Sequence, residues 1–103
     1  MKDTLKYFRL NRKLRIDVPE TRQTIFTDRY RYVYLRANAI YFSQYLTDNP
    51  NLAFRTSGAK LFFRSIPNVS QAYYAIRRSA KEGFNRIIIK ELGDFGVTIR
   101  AQL

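Results

Sequence analysis

The sequence predicts an α+β fold: one small antiparallel or mixed sheet of about five strands with two helices packed on one face. Three observations lead there. Short apolar segments alternate with polar residues, as where Leu14, Ile16 and Val18 sit among Lys13, Arg15 and Asp17, the period of a half-buried strand. A longer stretch from Asn68 to Gly83 repeats its apolar residues at helical spacing. The signals come in the order strand, strand, helix, strand, helix, strand, strand, which one sheet with helices laid on it accommodates. The 103 residues amount to a single domain, and a hydrophobic content of 46%, with eight Tyr and eight Phe, supplies its core.

The elements follow in turn. The strand through Leu14, Ile16 and Val18 stops at Pro19, which has no N–H for a ladder. Residues 19–28 read as a connection anchored by Ile25 and Phe26. A strand over 29–36 would place Tyr30, Tyr32, Tyr34 and Arg36 on one face and Arg29, Arg31, Val33 and Leu35 on the other. Beyond it, LRANAIYFSQYL suits a helix, with Ile40, Tyr41 and Gln44 on one stripe, and TDNPN at 47–51 is turn chemistry. AFRTSGAKLFFRSIP reads as a strand pair or a kinked strand bent at 56–58 and ended by Pro67. In the helix that follows, Asn68 or Ser70 is the expected N-cap and Gly83 the residue past the C-terminus. Val69, Ala72, Tyr73, Ile76 and Ala80 make its apolar face; Tyr74, Arg77, Arg78 and Lys81 fall off it. RIIIKEL and VTIRAQL are two further strands joined by the turn GDFG.

Charge narrows the function. Nineteen Lys and Arg stand against eight Asp and Glu, giving a net charge of +11. Self-repulsion at this density disfavours folding, so a folded chain that tolerates it implies an anionic partner. Arginine, forked and planar, dominates over lysine and suits phosphate or carboxylate contact. The absence of Cys and His removes disulfides, thiolate catalysis and the commonest metal ligand and general base. DFG at 94–96 matches a kinase motif by letters only, TSGAK lacks phosphate-loop spacing, and the acids are single and scattered. No catalytic residue, cofactor or metal is expected. No apolar run reaches the length of a membrane span and no signal-peptide pattern is visible, so a cytoplasmic, organellar or virion-interior setting is expected.

The expected function is non-enzymatic binding of nucleic acid through its phosphate backbone, single strands or RNA favoured. The expected contacts are Arg9, Arg12, Lys13, Arg15, Arg29, Arg31, Arg36, Arg77, Arg78 and Lys81, with Tyr32 placed to stack a base. Core packing is the commoner fate of sheet aromatics, and the tyrosine row of 30–34 is a credible core face. No helix-turn-helix, zinc finger or KH-type loop occurs, so sequence-specific duplex reading is not expected. The alternative partner is an acidic protein subunit within a large assembly, met by the same arginines and by aromatic anchors. LFFRSIP…GFNRIIIKEL, a strand–Pro–helix–Gly–strand run, resembles the small basic linker domains of phycobilisomes. It departs from them in the spacing of Pro67 and Gly83 and in lacking a Gly-Gly pair. A virion-internal or ribosome-associated protein would satisfy parts of both readings, and self-association is left open.

Overall fold

The computed structural model describes residues 6–36, 38–46 and 58–103. The α+β class stands, but its layers differ from the expectation. Among the described residues there are two four-stranded sheets and one α-helix, not one five-stranded sheet with two helices. The first sheet has the order β1 (Lys6–Arg9), β4 (Tyr32–Leu35), β5 (Ala39–Ser43), β6 (Ala59–Phe62), all antiparallel. The second has the order β3 (Gln23–Phe26), β2 (Arg15–Val18), β7 (Arg86–Glu91), β8 (Val97–Gln102). Within it β2 and β7 are parallel, and the other pairs are antiparallel.

The helix α1 (Ile66–Glu82) packs against β7 and β8 of one sheet and β4 and β5 of the other. Its buried face carries Val69, Ala72, Tyr73 and Ile76, at the spacing read from the sequence. These meet Ile16, Val18, Ile25, Ile87 and Ile89 from the second sheet and Val33, Ile40, Phe42 and Leu61 from the first, in one core. The N-cap is Ser65, whose side chain accepts from the Asn68 N–H, rather than Asn68 or Ser70. Pro67 therefore lies in the first helical turn, where its missing N–H is harmless, and does not terminate a strand. Gly83 closes the helix at φ +92°, a conformation costly for a residue with a Cβ.

Three further expectations differ from the structure. The helix expected after residue 36 is β5, hydrogen-bonded on both sides by β4 and β6. Four of its five residues are buried, so it shows no clean alternation to distinguish it from a helix. The connection at 19–28 contains β3, flanked by 3₁₀ turns at Pro19–Thr21 and Thr27–Arg29. The strand expected over 29–36 is shorter, Tyr32–Leu35, because Thr27–Arg29 is one of those turns. GDFG belongs to the β7–β8 turn, where the Leu92 N–H donates to the Gly96 carbonyl at 2.8 Å. The expected turn at 47–51 and most of the bend at 56–58 lie outside the described residues.

Candidate nucleic-acid interface

The link between β1 and β2 is pinned at both ends. Leu10 and Leu14 are buried, so Asn11, Arg12 and Lys13 between them are left outside. The Leu10 N–H donates to the Arg31 carbonyl at 2.7 Å, and the Leu14 N–H to Thr27 Oγ1 at 2.8 Å. Thr27, itself buried, donates its hydroxyl to the Arg12 carbonyl at 3.4 Å. A short basic run is thus held rigidly against the turn that leads into β4.

Two adjoining grooves result. One, of about 310 Å³, is lined by Arg9, Arg12, Lys13 and Arg31 together with Asn11, Asp28 and Tyr30. The other, of about 430 Å³, is lined by Tyr7, Phe8, Arg9, Asn11, Arg77 and Lys81. Arg9 and Asn11 belong to both. Arg77 and Lys81 are one helical turn apart on α1, so both reach the second groove. Six cations thus line the two grooves, whose lining includes one acid, Asp28. That acid lies 3.9 Å from Lys13, and both side chains are more than half exposed, so the pair binds weakly. The Arg12 guanidinium lies beside Gly83, at the negative end of the α1 dipole, and reaches Asn85 Oδ1 at 3.5 Å.

The remaining expected residues are placed apart. Arg29 is exposed at the end of its 3₁₀ turn, Arg78 is exposed on α1, and neither lines the grooves. Arg36 follows the far end of β4, since Arg9 pairs with Tyr32 and Lys6 with Leu35. Tyr32 is half-buried beside Arg9, while Tyr34 is fully buried and donates its hydroxyl to the Tyr45 carbonyl at 2.9 Å. Tyr30 packs against the core, 6.2 Å from the Phe42 ring. The tyrosine row therefore serves packing more than contact.

Arg15 occupies the outer face of the second sheet, in a row with Phe26, Arg86 and Gln102. Its Nε lies 3.1 Å from Asp17, which also takes 2.8 Å contacts from Arg86 Nε and Thr24 Oγ1. Burial pushes the Asp17 carboxyl up; hydrogen bonds from Thr24, Arg86 and Arg15 outweigh it and hold the group below its ordinary value. Between described residues, ion pairs form at Lys13, Arg15 and Arg86.

No protein-family model, curated protein or solved structure matches this chain. Function here rests on the geometry.

Sequence reasoning missed Asp17 as the hub of two arginines, and it missed Phe26. The second was readable in principle: Ile25 faces the core, so on a strand Phe26 must face away, where it is 58% exposed. Among the described residues no three acids converge as a metal site, and no helix is long and apolar enough to cross a membrane.

Proposed function

We propose that this chain is a non-enzymatic module that binds the phosphate backbone of a nucleic acid. One observation carries the reading: Arg9, Arg12, Lys13, Arg31, Arg77 and Lys81 line two adjoining grooves whose lining includes a single, exposed carboxylate. Such a hollow concentrates positive potential, and each phosphate neutralised there releases counterions. The test compares two charge reversals of equal size. Arg12→Glu with Lys13→Glu alters the groove; Arg29→Glu with Arg78→Glu alters exposed cations outside it. In fluorescence anisotropy with a labelled oligonucleotide, the first pair is expected to weaken binding at least about tenfold and to flatten the salt dependence by about one to two contacts. The second pair should do much less. Equal effects would mean that charge, not the groove, binds.

A second reading, docking on an acidic protein subunit, draws support from the other end of α1. There the Asn68 side chain donates to the Gly93 carbonyl at 2.7 Å, tying the β7–β8 turn to the helix start. Phe95 on that turn is 92% exposed and Leu92 and Ile66 are about half exposed or more, the kind of apolar anchors that interfaces use. A nuclease-resistant protein complex on purification from the native source would favour it.

A further inference from the structure

We infer that Phe26, backed by Arg15, is a base-stacking step continuous with the phosphate grooves, which makes the ligand a single strand. This rests on the backbone-binding reading and names the nucleic-acid class for the same site. A third hollow, of about 210 Å³, is lined by Lys13, Leu14, Arg15, Phe26, Asp28 and Asn85. It shares Lys13 and Asp28 with the 310 Å³ groove, so a chain whose phosphates lie along Arg12 and Lys13 passes directly beside the Phe26 ring.

The ring is prepared for this. Arg15 stands over it, its guanidinium carbon 5.5 Å from the ring centroid. That guanidinium is held in turn by Asp17, which Arg86 and Thr24 fix from the neighbouring strands. An aromatic ring that stays 58% exposed while its cationic neighbour is locked offers a flat platform at low ordering cost. Bases stack on such rings without sequence preference, and only unpaired bases present their faces. The rings of β4, by contrast, are buried or half-buried.

The test uses the full chain and two strands of equal length, oligo-dT and its abasic counterpart, which keeps the phosphates and removes the bases. The wild-type protein is expected to bind oligo-dT at least about tenfold more tightly than the abasic strand. Phe26→Ala should erase that preference while keeping the salt dependence, and Phe26→Trp should restore it. A 2-aminopurine placed in the strand should be quenched by the wild-type protein and not by Phe26→Ala. Equal affinity of the wild-type protein for both strands, or a preference that survives Phe26→Ala, overturns the stacking step and leaves the backbone reading standing. Failure to bind either strand at low salt overturns both.

Discussion

The outer faces of the two sheets are built from similar residues and put to opposite uses. Across the first sheet, Tyr7, Tyr34, Tyr41 and Lys60 stand in one cross-strand row, and Tyr34 within it is fully buried, its ring 5.7 Å from that of Tyr7. Across the second, Phe26, Arg15, Arg86 and Gln102 form the matching row, with Phe26 exposed and the arginines gathered on Asp17. In the most conspicuous stretch of the sequence, RYRYVY, the strand tyrosines end up covered, Tyr34 fully and Tyr32 by half. The inconspicuous QTIF carries the ring that solvent can reach. Alternation states which residues share a face; it is silent about which face another part of the chain will cover.

The largest expected effect in this contrast is on stability. Tyr34→Ala removes a fully buried ring and strands the Tyr45 carbonyl, so a loss of about 3–5 kcal/mol is expected in chemical denaturation. Phe26→Ala, on the exposed counterpart, should cost no more than about 1 kcal/mol. Comparable losses would mean that the two faces are equally covered and would break the contrast.

Next comes the centre of the open face. Asp17→Asn keeps the shape but weakens its hydrogen bonds to Arg15 and Arg86, with an expected cost of roughly 1–2 kcal/mol at neutral pH. Because the folded carboxyl titrates below its ordinary 3.8, the charge stabilises the fold above that pH. The contribution fades as pH falls through the lowered folded value. Stability curves of Asp17→Asn and wild type should therefore converge below about pH 4 and stay separated above it. Curves that run parallel to lower pH would deny Asp17 its role.

The smallest effect concerns the core beneath. Tyr73 is buried, and among the described residues no group accepts or donates at its hydroxyl. Burial pushes that hydroxyl up to about 12, against the opposing charge of Arg77 and with a small addition from Tyr74. Tyr73→Phe should leave stability unchanged or raise it by up to about 1 kcal/mol in a thermal melt, since it removes an unpaired buried group. A clear loss would reveal a partner for the hydroxyl.

Legibility from sequence followed element length and one-sided burial. The helix was readable because four turns of apolar spacing and a C-terminal glycine agree. β2 and β8 were readable because one side of each is core and the other polar, and β7 because its run of three isoleucines is β-branched and apolar. The four-residue β1 and β3 and the doubly covered β5 gave no comparable signal, and their absence from the reading is what turned two sheets into one. For the site, Arg9, Arg12 and Lys13 were legible as a local run. Their union with Arg31 and with Arg77 and Lys81 depends on the β1–β4 pairing and on where α1 ends, which are long-range facts.

The most direct measurement is the salt dependence of single-strand binding by the wild-type protein. If the six groove cations each neutralise a phosphate, the logarithm of the affinity should fall against the logarithm of salt with a slope of about −4. A slope near zero, or no binding even at about 50 mM salt, would contradict the assignment of these grooves to a nucleic-acid backbone.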